Sequence, residues 1–173
     1  VYITPAQLST GAGASLELAQ LFELPLELWQ LTLSGGDRSA YSAAEIDAAD
    51  AGLAAVLDAC GRASGEVEAY LAQRGYELPL DAVDFPVLGT WGRAIARYHV
   101  HLSRERANTE LGRIERDYRE ARAALERVAA GQLSLGANDP LAPGNSDPDA
   151  EDTGPIRYTS KPRMFSRDSL DAL

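Results

Sequence analysis

The chain has 173 residues, with 45% hydrophobic side chains and a net charge of −10. That length suits one compact domain plus an extension, and the acidic balance argues against simple high-affinity binding to nucleic acid, which relies on Lys and Arg neutralising phosphates. A single cysteine, Cys60, excludes an internal disulfide, and the sequence shows neither a signal-peptide pattern nor an apolar run long enough to span a bilayer, so a soluble protein made in the cytoplasm is expected.

In chain order, Thr4 and Pro5 suit the cap and first position of a short helix running through Leu8. Gly11 and Gly13 break it. Ser15 is the expected cap of a second helix over about 16–23, with Leu16, Leu18, Leu21, Phe22 and Leu24 on one side. Pro25 interrupts, and residues 26–33 have room for another turn or two.

Ser42 and Glu45 read as a capping box. They open the longest helical pattern, about 43–74, whose stripe is Ile46, Leu53, Val56, Leu57, Cys60, Val67, Tyr70 and Leu71. Gly61 and Gly65 either weaken it or permit close packing, and Gly75 is a natural end. Asp84 can cap the next helix, with Leu88, Trp91, Ile95, Tyr98 and Leu102 as its apolar stripe. Asn108 or Thr109 can restart the chain, and Leu111, Ile114, Tyr118, Ala121, Leu125 and Val128 mark the last helix. One continuous helix from 86 to 130 is the alternative. The expected fold is all-α: a bundle-like domain of four or five helices over 1–136, then an extended C-terminal arm. Within the arm, 137–155 is an acidic linker rich in Asp, Pro and Gly. Residues 156–173 are apolar and basic, suited to docking.

Charge is segregated. Residues 1–90 carry 13 acids and 3 bases, whereas 91–135 carry 9 bases and 6 acids. Arg104, Arg106, Arg113, Arg116, Arg119, Arg122 and Arg127 form a row interleaved with Glu and Asp. Such a row reads as i, i+4 pairs on a solvated face, as an intersubunit surface meeting the acidic half of a neighbour, or as a DNA contact.

Chemistry is hard to assemble. His99 and His101 are about 200° apart on a helix and cannot chelate one ion together; one is expected to face packing and the other water. Cys60 lies on an apolar stripe with no nominated base. Residues 11–15 lack the Lys of a phosphate loop, and the stretch from Asp37 fails the calcium-loop pattern. No cofactor, metal or catalytic set is expected.

Several stretches carry a resemblance. They are Tyr70-Leu71 with Arg74 and Leu78-Pro79-Leu80; residues 96–101; residues 116–125 followed by Gly131-Gln132-Leu133; and Met164-Phe165-Ser166-Arg167-Asp168-Ser169-Leu170. In this order they resemble the Mu-like phage and prophage neck protein family, a domain of unknown function similar in helical layout to head-tail connector adaptors of long-tailed phages. Gly75 and the long acidic arm depart from the usual pattern. The resemblance implies a virion neck protein, a ring of twelve copies beneath the portal protein, with a stopper or tail-completion protein downstream and DNA passing through without sequence readout. Arg163, Met164, Phe165, Arg167 and Leu170 are then candidates for docking on the portal or a neighbour, and Arg104, Arg113, Arg116 and Arg119 for subunit contacts.

Overall fold

A computed structural model describes residues 2–11, 13–81, 83–103, 111–136 and 139–142. At the start, Thr4 and Gln7 satisfy each other's backbone in a capping box, with Pro5 at the first position of α1 (Pro5–Leu8). α2 (Ala14–Leu21) begins after Gly13 in the left-handed region, at φ 83°. Ser15 is therefore not its cap; its hydroxyl instead donates to the Ser9 carbonyl at 2.9 Å. α3 (Leu26–Ser34) starts directly after Pro25 and is longer than the turn or two expected.

α4 (Ala43–Arg74) opens on the Ser42–Glu45 capping box and closes on Gly75 at φ 96°. α5 (Pro86–Leu102) follows Phe85, and no side chain caps it, Asp84 included. α6 (Leu111–Ala129) packs beside both α4 and α5, so the single continuous helix does not form. The expected caps Asn108 and Thr109 lie outside the described residues. The described residues thus form an all-α fold of six helices, three of them the short pieces that precede α4.

α4 is the central rod. α5 and α6 lie along it, while α1 touches α4 and α5, and α3 bridges α2 to α4. What lets neighbours close on α4 is a row of small residues. Ala49, Gly52, Ala59, Ala63 and Ser64 are buried together with Val56, Cys60, Val67 and Leu71. A Cβ on Gly52 would sit 3.2 Å from the ring of Phe22, the residue that ends α2, so the chain leaving α2 rests on α4 at that point. Phe22 stacks on fully buried Trp29 with ring centroids 5.7 Å apart. Truncating a side chain like Trp29 costs about 3–5 kcal/mol.

The N-terminal segment is part of this core. Tyr2 and Ile3 are each 2% exposed. The Tyr2 amide donates to Ser64 Oγ at 3.1 Å, and the Tyr2 hydroxyl accepts from the Leu80 amide at 3.3 Å. Ile3 packs over Gly92 on α5.

The apolar stripes are narrower than the residue spacing implied. Leu16, Leu57 and Leu102 are about half exposed. On α5 the buried line is Leu88, Gly92, Ile95, Ala96 and Val100, with Trp91 and Tyr98 at its edges. On α6, Ile114, Ala121, Leu125 and Val128 are buried as their spacing predicts. The chain then turns at Gly131 (φ 71°). Residues 139–142 lie back against the body: Asp139 is buried, accepting from the Tyr76 hydroxyl at 2.8 Å and from the Leu135 and Leu141 amides at 2.9 Å each.

Candidate functional site

The side of α5 that faces away from its apolar stripe gathers the charged groups. Arg97 and His101, four residues apart, both reach Glu17 on α2. The Arg97 Nε and Nη2 donate to the two carboxylate oxygens at 2.7 Å each, the two-pronged geometry suited to a guanidinium. His101 Nε2 lies 2.6 Å from Oε1. Burial pushes the Glu17 carboxyl upward, but the hydrogen bonds and positive charge of His101 and Arg97 outweigh it and hold the group down at about 2. This clasp ties the α2 segment to α5.

His99 points the other way, toward α4. Its Nε2 is 3.3 Å from Glu66 Oε2, while the Tyr118 hydroxyl of α6 donates to Glu66 Oε1 at 3.1 Å. Tyr118 also stacks on Tyr98 with centroids 4.2 Å apart. Glu66 thereby joins the three long helices at one level. The spacing argument that separates His99 from His101 holds, but neither imidazole faces water: both are less than one-fifth exposed, each against its own carboxylate. Among the described residues no three His, Cys, Asp or Glu side chains converge as metal ligands. Cys60 is buried, and burial pushes its thiol up to about 11, which suits a core residue and not a nucleophile.

A line of depressions runs along α5, each touching Arg93 or Arg97. A groove of about 380 Å³ lies between α5 and α6, with Trp91, Ala94, Ile114 and Ala121 as its apolar walls. The spacing of Trp91 reads as core, and only the packing of α5 beside α6 shows it lining a groove. Next to it, Arg93, Arg97 and Arg113 line a more polar depression against Glu17 and Thr10.

Of the candidate subunit residues, Arg116 and Arg119 fall on the outer side of α6, while Arg113 lines the depression beside Glu17. Arg119 pairs with Glu115 at 2.5 Å and Arg116 with Glu120 at 4.0 Å, all largely exposed. Arg113 makes no hydrogen bond or ion pair among the described residues. Arg122 donates to both Tyr70 and Glu126. Arg104 and the docking candidates Arg163, Met164, Phe165, Arg167 and Leu170 lie outside the described residues. No described helix is long and apolar enough to cross a membrane.

No curated protein and no solved structure matches the chain. A family model described as bacteriophage Mu, Gp36 matches residues 2–151. That match covers nearly the whole chain and includes the motif stretches between Tyr70 and Leu133, while the stretch Met164–Leu170 lies beyond it; it indicates a phage structural or assembly protein. The protein belongs to the bacteriophage Mu Gp36 family.

Proposed function

We propose that this protein is a head-to-tail adaptor of the virion neck, a structural and not a catalytic component. In this reading twelve copies form a closed ring under the portal protein, a stopper or tail-completion protein binds below, and DNA passes through the centre. Family membership carries the reading. The exposed charge of α6 supports it. Arg116 and Arg119 hold only i, i+4 partners on a solvated surface, pairs worth about 0.3–0.5 kcal/mol. Such side chains exchange partners readily, and the first 90 residues supply the acidic counterpart on a neighbour. Closure of a ring then multiplies modest contacts.

The alternative, a DNA-binding accessory protein using the 91–127 arginines, finds less support. Arg97, Arg116, Arg119 and Arg122 already face carboxylates, which weakens the phosphate-neutralising charge of this segment. The two readings separate in a producing phage from which this protein has been deleted. The adaptor reading expects DNA-filled heads and free tails to accumulate unjoined. Empty heads, with packaging arrested, would favour the accessory protein instead.

A further inference from the structure

We infer that the C-terminal segment of this chain, around Met164–Leu170, occupies the groove between α5 and α6 of the same subunit. Three observations lead there. The groove floor is apolar, with Ile114 and Ala121 buried and Trp91 and Ala94 half-buried. Met164, Phe165 and Leu170 are apolar groups of suitable size.

The rim is polar in a directional way. On the α6 side stand Asp117, which has no hydrogen bond or ion pair among the described residues, and Glu120, whose exposed pair with Arg116 is 4.0 Å long. On the α5 side Arg97 is already held by Glu17, leaving Arg93, which donates to the Thr10 carbonyl at 3.3 Å. A segment with Arg163 and Arg167 beside one acid, Asp168, complements this rim: its arginines match Asp117 and Glu120, and its carboxylate matches Arg93.

The third observation is where the described chain ends. Arg74 Nη2 donates to the Leu141 carbonyl at 3.5 Å, and Gly131 lies against the same guanidinium. Residue 142 therefore leaves the body where α4 and α6 finish. Asp117 and Ala121 are eight to twelve residues back along α6 from Ala129, about 12–18 Å at the helical rise. Twenty-one residues separate Ala142 from Met164, and a chain of that length spans about 25 Å as a coil. The tether is long enough for the subunit's own groove, and it presents the segment at an effective concentration of about millimolar, which favours it over the same segment of another copy. This inference does not depend on the adaptor reading.

The two tryptophans supply the test, since Trp29 is fully buried in the core while Trp91 lines the groove. In the full chain labelled with fluorotryptophan, ¹⁹F NMR resolves one resonance for each. Phe165→Ser should move the Trp91 resonance toward its solvent-exposed position and raise its H₂O/D₂O isotope shift, leaving Trp29 unmoved. The double change Asp117→Lys with Glu120→Lys should do the same, and adding Arg163→Glu with Arg167→Glu should restore the original position. A Trp91 resonance indifferent to all of these would overturn the inference. So would protection of Trp91 that disappears on dilution, which would assign the groove to another copy's segment.

Discussion

The Tyr76 hydroxyl donates to the Asp139 carboxylate at 2.8 Å, joining two residues 63 positions apart. Asp139 also accepts from the Leu135 and Leu141 amides, so one buried carboxylate organises the turn that follows α6. Burial works against its ionisation, but these amides and the Tyr76 hydroxyl prevail and hold the carboxyl below its usual range. Asp139→Ala removes the acceptor for all three donors and should cost about 2–3 kcal/mol, whereas Tyr76→Phe should cost about 1 kcal/mol. Urea unfolding measures the totals. Hydrogen exchange should show the Leu135 and Leu141 amides losing protection in the first variant and retaining it in the second.

Glu17 gives the fold a defined acid sensitivity. Its folded value of about 2 lies below the ordinary 4.5, so the unfolded chain binds its proton first. The stabilisation is complete above about pH 4.5 and is lost as pH falls through about 2. Glu17→Gln should lower stability at neutral pH by on the order of 2–3 kcal/mol and flatten the stability–pH curve across that window. Denaturant titrations of both proteins at a series of pH values decide this; parallel curves would show that the clasp with Arg97 and His101 contributes nothing.

Three glycines of α4 should respond in opposite ways. A Cβ added at Gly61 or Gly65 meets nothing within 4 Å, so Gly61→Ala and Gly65→Ala should each stabilise by about 0.5–1 kcal/mol through helix propensity alone. Gly52→Val should destabilise by about 1–3 kcal/mol, because the Phe22 ring is already 3.2 Å from its Cβ position. Thermal melts of the three variants read both signs.

Much of this architecture was legible in advance, and the failures have specific causes. The cap at Thr4, the capping box at Ser42 and the stop at Gly75 depend on local backbone chemistry, and they stand as read, with Gln7 completing a box at Thr4 that goes beyond the expected cap. The stripe of α6 also held, because its other side is almost wholly charged and admits one orientation. The stripe of α4 was blurred because much of its buried surface is Ala, Gly and Ser, residues that carry little hydropathy signal yet set the distance of close approach. Ser15 resembled a cap, but Gly13 takes the left-handed conformation that starts α2. The Glu17 and Glu66 clusters depend on partners 33 to 84 residues away, beyond any local pattern.

The outer side of α6 should matter to assembly and not to folding. Reversing Arg113, Arg116 and Arg119 to Glu breaks two exposed i, i+4 pairs and sets like charges in their place, so stability should fall by about 1–2 kcal/mol, too little to unfold the domain. Circular dichroism melts check that the fold survives. On the adaptor reading, the same triple variant should fail to rescue head-to-tail joining in phage lacking the wild-type protein.

Cryo-electron microscopy of the purified virion, with this protein tagged in the producing phage, tests the central claim most directly. The account predicts a closed ring of tagged density between the portal and the tail. Joined particles in which that position is filled and the tagged polypeptide is absent would contradict it.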